Sequence, residues 1–491
     1  MKTLFLPLAL LPLMFAAGCG GGPSGSGGGG TGTFSNSSLN GQYAYRLTGL
    51  LYNSNGSTSS YAEAGTFSAD GGGHITAGVD DLVVGGTALA TSTSVTGTYS
   101  VNGDGTGSIT LNNAGLGTET LAITLASSSK LYIIEQDPAN TFGVAELQSS
   151  STLTTVPSGT FTFRIHDQGT ASRAGAFTVN AGTIAGSEDL LAGGNLDNGT
   201  GAPLPITGSL LTPTGGRGTG SFNDGLSTVQ FVYYVVDANN IRILRTDSGL
   251  VSLGRAETQT GTFTSNAAFK GSYAFGSRAD DTFSINGQNT VGVITADGNG
   301  AITGGAYDAV IDGSPVSNAA ITSGGTYTVG QDGSVVVNFT TSTGASIQQI
   351  FWLVSPSRAF FLTNDSTKYE DGIADLQQSS SFTNTSINGQ YAFVMDGFVV
   401  STANIDRVGW ISGDGGGNMS WYEGVNSSGT YGNPGTLTGT YSVATNGRAT
   451  ATINGLSQGS NDLVFYLVSG SQAYILQDFS GYEVIGAMDL Q

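Results

Sequence analysis

The stretch Asn40–Ala44 reads NGQYA, and the same five residues stand again at Asn388–Ala392. Two weaker copies, GTFTF and GSYAF, lie between them. Each copy carries one glycine that opens a module: Gly41, Gly159, Gly271 and Gly389. These glycines are separated by 118, 112 and 118 residues. A nearly constant period of this kind indicates that one structural unit is repeated four times along the chain.

Two further landmarks recur in step with the glycines. A strongly apolar stretch ends in an aspartate in every module, at Asp137, Asp247, Asp365 and Asp478. Each module then closes on a short acidic phrase (AELQ, AETQ, ADLQ or MDLQ) whose last residue is Gln148, Gln259, Gln377 or Gln491. From opening glycine to closing glutamine a module has 101 to 108 residues, the size of an ordinary domain. We therefore predict four β repeats at 34–148, 153–259, 263–377 and 382–491.

The composition predicts that these repeats are all-β. Charged residues make up 10 % of the chain and hydrophobic residues 38 %, with 78 glycines. Glycine, serine, threonine and asparagine suit strands and tight turns, whereas helices favour alanine, leucine, glutamate and lysine. No sustained 3.6-residue apolar period occurs after the first twenty residues. The chain is therefore expected to contain antiparallel sheets joined by hairpins.

Alternation of apolar and polar residues divides the first repeat into eight short strands. The predicted strands are Gln42–Leu51, Tyr61–Ala69, His74–Val84, Ser94–Val101, Gly107–Leu111, Glu119–Leu125, Leu131–Gln136 and Gly143–Leu147. Eight consecutive antiparallel strands can close into an up-and-down barrel, and the alternative is an open or sandwich-like meander. The opening G-x-Y/F resembles the G-x-W start of the lipocalin (calycin) barrels. That resemblance implies a barrel interior that is either filled or able to hold one small ligand.

The N-terminal residues predict export and lipidation. Lys2 is followed by an apolar run, by small residues and then by Cys19, the single cysteine of the chain. The run is too short to span a bilayer and is typical of a signal peptide. It resembles the bacterial lipoprotein lipobox, which implies cleavage before Cys19 and acylation of that residue. We predict a signal peptide at 1–18 and, at 19–33, a lipidated cysteine with a flexible Gly-rich tether.

The same resemblance predicts a location in the cell envelope. Gly20 rather than aspartate follows the lipobox cysteine, which favours the outer membrane, on its periplasmic or its surface face. The formal net charge of the chain is −20, so binding to nucleic acid is not expected. An N-terminal lipid anchor is therefore the membrane partner that the sequence predicts.

Catalytic and metal-binding residues are scarce. Two histidines, His74 and His166, occur at positions that the other repeats do not share, and the single cysteine is the predicted acylation site. These counts argue against nucleophilic catalysis and against a His/Cys metal site, so neither an enzyme nor a cofactor is expected. A carboxylate-based glycan hydrolase remains a residual alternative.

Recurrent aspartates raise the question of calcium or ligand binding. Turns such as ADGGG at Asp70, ADGNG at Asp297 and GDGGG at Asp414 favour turn chemistry over calcium, because the later carboxylates of a calcium loop are missing. The four strand-ending aspartates are expected to bond turn amides, with a ligand-facing role as the alternative. Carboxylates also follow the third strand of each repeat: Asp80, Asp81, Glu188, Asp189, Asp308 and Glu423. We expect these to be solvated, although they could line a barrel mouth.

Together these features predict a lipid-anchored envelope protein that displays four β domains for non-enzymatic binding or surface interaction. A small apolar or glycan ligand could occupy each barrel. Trp410, Trp421 and Tyr422 could stack on sugars, but cross-strand packing is the preferred interpretation. The alternative function is a structural or adhesive protein with filled barrels and no small ligand. The linkers are short and polar, which predicts limited hinging, and the sequence leaves open whether the units associate.

Overall fold

A computed structural model describes residues 33–53, 56–169, 171–199, 201–279, 287–364, 366, 368–400, 403–456 and 462–491. The predicted signal peptide, Cys19 and nearly all of the predicted Gly-rich tether lie outside these residues, as does Asp365. None of the helices among the described residues combines the length and the hydropathy needed to cross a bilayer.

The first two repeats form barrels 1 and 2. The strands of barrel 1 are β1 (Asn40–Tyr52), β2 (Thr58–Asp70), β3 (His74–Val84), β4 (Thr87–Val101), β5 (Thr106–Asn113), β6 (Gly117–Ser127), β7 (Lys130–Glu135) and β8 (Ala139–Leu147). Those of barrel 2 are β9 (Gly159–Asp167), β10 (Ala171–Asn180), β11 (Thr183–Ala192), β12 (Asn195–Leu196), β13 (Leu204–Leu210), β14 (Arg217–Asn223), β15 (Thr228–Asp237), β16 (Asn240–Arg245) and β17 (Ser252–Thr258).

The last two repeats form barrels 3 and 4. The strands of barrel 3 are β18 (Lys270–Ala279), β19 (Gln288–Asp297), β20 (Ala301–Ile311), β21 (Ser314–Ile321), β22 (Gly325–Val329), β23 (Ser334–Thr340), β24 (Ser346–Ser355), β25 (Arg358–Asn364) and β26 (Tyr369–Leu376). Those of barrel 4 are β27 (Asn388–Val399), β28 (Ala403–Asp414), β29 (Asn418–Ser427), β30 (Thr430–Val443), β31 (Arg448–Asn454), β32 (Asp462–Ser469), β33 (Gln472–Gln477) and β34 (Tyr482–Leu490). Short 3-10 turns lie at Asn36–Ser38, Asp197–Gly199, Asn266–Ala268 and Asn384–Ser386.

Each repeat is a closed, antiparallel, eight-stranded barrel. Neighbours in sequence are hydrogen-bonded, and the first strand pairs with both the second and the last strand. In barrels 2 and 3 the fourth strand is split into two pieces, β12 with β13 and β21 with β22, which both pair with the third strand. The prediction of four eight-stranded up-and-down barrels is therefore confirmed, and the open or sandwich-like alternative is wrong.

Side chains fill the interior of every barrel. Each barrel has its own cluster of buried residues, dominated by tyrosine, phenylalanine, leucine, isoleucine and valine. In barrel 1, for example, the rings of Tyr43 and Phe67 stack inside at 5.3 Å. A small ligand inside each barrel, which the sequence left possible, would have to displace these side chains. The inward face of the alternating strands explains this result, because it carries large apolar residues throughout.

The barrels associate side by side and close into a ring. Strands one to three of each barrel pack on strands six to eight of the following barrel, and barrel 4 packs on barrel 1 in the same way. A separate apolar cluster is buried at each of the four junctions, which we name 1/2, 2/3, 3/4 and 4/1 after the barrels they join. Adjacent units are thus packed together instead of hanging independently from short hinges.

Candidate functional site

The four junctions share a set of contacts that begins with the closing glutamine of each module. Its side-chain nitrogen donates a hydrogen bond to a backbone carbonyl on the sixth strand of the following barrel. The four bonds are Gln148 to Val235 (2.5 Å), Gln259 to Leu353 (3.0 Å), Gln377 to Leu467 (2.8 Å) and Gln491 to Leu125 (2.6 Å). Junction 4/1, which closes the ring, therefore uses the same bond as the three junctions between consecutive repeats.

The acidic residue of each closing phrase also reaches the next barrel, where it meets the seventh strand. The pairs are Glu146 with Arg242 (2.6 Å), Glu257 with Arg358 (2.8 Å), Asp375 with Tyr474 (2.6 Å) and Asp489 with Lys130 and Tyr132 (both 2.5 Å). Although burial opposes it, the charges of Arg255 and Arg358 lower the pKa of Glu257 to about 2. All four carboxylates are bound in ion pairs or hydrogen bonds across the junctions.

A second carboxylate, on the outward face of the third strand, is the centre of junctions 1/2 and 3/4. At junction 3/4 both Arg448 Nε and Nη2 donate to the carboxylate of Asp308, at 2.7 and 2.6 Å, and the Tyr466 hydroxyl donates to it at 2.8 Å. At junction 1/2, Asp81 accepts two bonds from Arg217, at 2.6 and 2.8 Å, and one from the Tyr234 hydroxyl. Bidentate pairing of this kind fixes both distance and orientation.

Junction 2/3 keeps the carboxylate but changes its partners. Asp189 accepts a hydrogen bond of 2.6 Å from the indole nitrogen of Trp352, which is fully buried. Ser334 pairs with Trp352 in the sheet, at the place where Arg448 pairs with Tyr466. Burial, and then the neighbouring Asp197, raise the pKa of Asp189 to about 8. The large indole ring thus occupies the space that arginine and tyrosine fill elsewhere.

Junction 4/1 has neither the third-strand carboxylate, nor a fifth-strand arginine, nor a sixth-strand tyrosine or tryptophan. Gly424 stands on the third strand of barrel 4 where the carboxylate would be, as its pairing with Val408 shows. On barrel 1, Thr106 and Thr124 pair with each other as Arg448 and Tyr466 do in barrel 4. A cavity of about 200 Å³ opens between the two barrels at this point.

The carboxylates that follow the third strand are buried, so the expectation that they are solvated is wrong. Asp81, Asp189 and Asp308 face the next barrel, whereas Asp80, Glu188 and Glu423 face the interior of their own. Inside barrel 4, Arg407 Nη1 lies 2.5 Å from Glu423, and inside barrel 2, Arg173 contacts Glu188. Partners from the next barrel for the outward carboxylates, and from the neighbouring second strand for Glu188 and Glu423, make this burial possible.

The four predicted opening glycines occupy one conformation. Gly41, Gly159, Gly271 and Gly389 have φ of +126°, +110°, +113° and +128°, in the region that side chains rarely adopt. Among the strand-ending aspartates, Asp137 accepts a bond of 3.2 Å from the amide of Ala139. Asp247 contacts the guanidinium of Arg245 and the amide of Gln230.

The fourth repeat's strand-ending aspartate points across a junction. Asp478 accepts a hydrogen bond of 2.6 Å from the hydroxyl of Ser317, which belongs to barrel 3. The side chains of the corresponding aspartates in the first two repeats bind groups within their own barrels. The strand-ending aspartates therefore do not share a single partner, and a common ligand-facing role for them stays a prediction.

The Asp-Gly turns behave as the turn interpretation predicts. Oδ1 of Asp70, Asp297 and Asp414 accepts bonds of 2.7 to 3.0 Å from amides two and four residues ahead. No cluster of three or more possible metal-ligating side chains occurs within the described ranges. His74 contacts Asp70 at 3.1 Å, and His166 contacts Asp371 at 2.5 Å within junction 2/3.

The aromatic group of barrel 4 is divided between core and junction. Trp421 is fully buried inside the barrel and packs on Phe393 at 4.2 Å. Trp410 and Tyr422 form a stacked cross-strand pair on the outer face, with ring centroids 5.8 Å apart. The indole nitrogen of Trp410 donates to Asp104 of barrel 1 at 3.1 Å. Cross-strand packing is thus confirmed, and Tyr422 also lines the cavity.

Sequence reasoning found the closing phrases as repeat landmarks but missed their role at the junctions. A signal was present, because the first two strands of repeat 1 carry alanines on the face opposite the core, at Ala44, Ala62 and Ala64. Apolar residues on both faces of a strand indicate that both faces are covered.

Comparisons with known proteins add little. No family model matches the chain, and no curated protein matches it. One solved structure, a double mutant of the vaccine antigen transferrin-binding protein B from Haemophilus parasuis, aligns with 73 % of this chain and 82 % of its own at 10 % identity. The TM-score of that alignment is 0.18, which is too low to carry an argument about the fold or the function of this chain.

Proposed function

We propose that the chain is a lipid-anchored protein of the bacterial cell envelope, held at the outer membrane, that acts as a rigid, non-enzymatic interaction body. The lipobox-like segment before Cys19 supports the anchor, and the Gly-rich tether after it supports display away from the lipid. The observation that carries the proposal is the closure of four filled barrels into one ring.

Filled barrels favour the structural or adhesive alternative over a ligand inside each barrel. Lipocalin-like binding needs an empty interior, whereas these interiors are packed with aromatic and aliphatic side chains. A partner would therefore contact the outer surface of the ring. The four domains 34–148, 153–259, 263–377 and 382–491 would present this surface as a single body.

The chemistry of the buried polar groups supports a role without catalysis. The outward third-strand carboxylates are engaged by arginine, tyrosine or tryptophan of the next barrel, and both histidines contact an aspartate. These contacts stabilise the assembly and leave the groups poorly placed for proton transfer to a substrate. The surface charge of an acidic chain also disfavours nucleic acid as a partner.

Two measurements test this proposal. Metabolic labelling with an alkyne-tagged palmitate should label the exported full chain, and Cys19→Ser should abolish the label. Small-angle scattering of the soluble Cys19→Ser protein should give a radius of gyration of about 23 Å for one compact body of this length. An unlabelled wild-type protein would contradict the anchor, and a far larger radius would contradict the rigid ring.

A further inference from the structure

The cavity at junction 4/1 exists because three positions all carry small residues there, whereas at every other junction at least two of the three carry large ones. The third strand supplies Asp81, Asp189 and Asp308 at the other junctions but Gly424 here. The sixth strand supplies Tyr234, Trp352 and Tyr466 at the other junctions but Thr124 here. The fifth strand supplies Arg217 and Arg448 at two junctions but Thr106 here. All of these residues lie at matching register positions of their sheets.

The cavity is bounded by both barrels. Barrel 1 contributes the outer faces of β5 and β6, with Thr106, Ser108 and Thr124, and barrel 4 contributes Tyr422 and Tyr431. Its volume of about 200 Å³ lies below the range typical of drug-sized ligands. The space therefore suits one small ring or the end of a chain.

One of the residues that line this cavity, Thr124, carries a buried hydroxyl group without a hydrogen-bond partner among the described residues. The residue is only 1 % exposed. Buried hydroxyl groups in native proteins are nearly always hydrogen-bonded to protein or to water. An unpaired hydroxyl on a residue that lines a cavity indicates that a further polar group completes this wall.

The lining residues decide which class of ligand fits. Among the described residues, none of those that line the cavity carries a charge. An anion would lack the arginine found at junctions 1/2 and 3/4, and a cation would lack the carboxylate. Hydroxyl groups of threonine, serine and tyrosine instead both donate and accept hydrogen bonds. Tyrosine rings add apolar surface on which a flat, weakly polar face can stack.

We propose that junction 4/1 is a binding site for one neutral sugar ring. A sugar ring offers hydroxyl groups to Thr124 and its neighbours and C–H groups to Tyr422 and Tyr431. The site deepens the proposed function and rests on it, because the sugar is bound without being cleaved. The ring can come from a free monosaccharide or from the terminal unit of an envelope glycan, since both present the same chemistry.

Calorimetric titration of the soluble Cys19→Ser protein tests the site. Glucose, galactose, mannose and N-acetylglucosamine serve as neutral probes, glucuronate as an anionic probe and cyclohexanol as an apolar ring. We expect saturable binding of at least one neutral sugar and much weaker binding of the other two classes. A glycan chain that ends in the same sugar distinguishes the terminal unit from the free monosaccharide.

Two variants locate the site. Thr124→Val removes the hydroxyl at nearly constant shape, and we expect at least a tenfold loss of sugar affinity without a lower melting temperature. Thr124→Tyr introduces the residue that barrels 2 and 4 carry and should abolish binding. Thr120→Tyr, on the same strand but outside the cavity lining, is the matched control and should bind like the parent.

The outcomes separate this inference from the proposed function. Absence of saturable binding, equal binding of glucuronate or cyclohexanol, or unchanged affinity in both Thr124 variants would overturn the sugar site and leave the anchored ring standing. Release of reducing ends from a bound glycan would overturn the non-enzymatic role and leave the binding site standing.

Discussion

Glycine at position 105 shows how a single residue shapes a junction. Gly105 and its counterparts in the other barrels all have a left-handed backbone, with φ between +85° and +89°. The counterparts are Gly216, Gly333 and Gly447. A Cβ atom added to any of these glycines would lie only 2.5 or 2.6 Å from the side-chain amide nitrogen of a closing glutamine. The position thus needs glycine both for its φ and for the glutamine that packs on it.

We expect Gly105→Ala to destabilise the protein more than Gly435→Ala does. Both glycines have φ of +85°, so both variants strain the backbone equally, but only a Cβ at position 105 would meet Gln491, at 2.6 Å. The displaced glutamine loses its bonds to barrel 1, which should add about 1–2 kcal/mol to the loss. Urea denaturation measures both variants. Equal losses would show that the Gln491 contact does not stabilise the ring.

Two adjacent carboxylates, Glu188 and Asp189, should make stability depend on pH. Burial raises the pKa of Glu188 to about 8 in spite of Arg173, and burial with Asp197 raises that of Asp189 to about 8. At neutral pH these carboxyl groups are protonated in the folded protein, because their pKa is raised, but they are ionised in the unfolded chain. The free energy of unfolding should therefore fall as pH rises from 6 to 9, by up to about 1.4 kcal/mol per pH unit for each group.

The variant Asp189→Asn isolates one of these groups. Its amide oxygen can still accept the bond from Trp352, but it no longer titrates, so the slope between pH 6 and 9 should be smaller. Below pH 5 the trend should reverse, because Glu257, whose pKa is lowered to about 2, loses its ion pairs when it is protonated. Denaturant titrations at several pH values measure the free energy of unfolding in both pH ranges. A free energy of unfolding that stays constant from pH 6 to 9 would contradict the raised pKa values.

At the scale of strands and hairpins, the sequence predicted most of the fold. The third strand, His74–Val84, has the same predicted and observed bounds. The other predicted strands of barrel 1 lie at the observed positions, but the fourth begins seven residues before its predicted start, at Thr87, and the eighth begins four residues before its predicted start. Local alternation and Asp-Gly turns determine these elements, because hairpin pairing joins neighbours in sequence. Local patterns were therefore sufficient for the barrel.

The junctions could not be predicted in the same way. Asp81 meets Arg217, and Asp308 meets Arg448, across 136 and 140 residues. An aspartate at the end of a strand is usually solvated, and only the arrival of a partner from another barrel makes its burial favourable. The cavity at junction 4/1 was likewise hidden, since it depends on which small residues of two distant repeats face each other.

Two arginines at junction 1/2 should respond in opposite ways to replacement by methionine. Burial and the like charges of Arg255 and Arg242 lower the pKa of Arg46 to about 9, and its buried Nε has no hydrogen-bond partner among the described residues. Removal of this charge should raise the free energy of unfolding by about 1 kcal/mol.

The contrasting variant is Arg217→Met. Arg217 makes two hydrogen bonds to Asp81, which is 2 % exposed, so its removal leaves a buried carboxylate without its cationic partner. We expect a loss of about 3 kcal/mol. Chemical denaturation of both variants in one buffer gives the comparison, and a loss of similar size in Arg46→Met would contradict the role assigned to charge repulsion.

For the whole molecule, ring closure brings the first and last described parts of the chain together. Gln491 and the ring of Phe34 both approach Gly105 in barrel 1. Junction 3/4 has the same arrangement, since Gln377 and Phe382 both approach Gly447 in barrel 4. Four residues, QSSS at Gln378–Ser381, connect Gln377 to Phe382. The ends at junction 4/1 are thus placed as if such a linker joined them.

We expect a circular permutant to fold into the same ring. Gln491 is joined to Phe34 by the chain's own QSSS linker, and new ends are opened between Gln259 and Phe263. Four extended residues span at most about 18 Å between flanking Cα atoms, so this linker can join the ends only if barrels 4 and 1 are adjacent. The control carries a joining linker of twenty Gly/Ser residues, which also spans an open arrangement. A closed ring predicts similar melting temperatures and scattering curves for both permutants, whereas an open chain of barrels predicts that only the long linker permits folding.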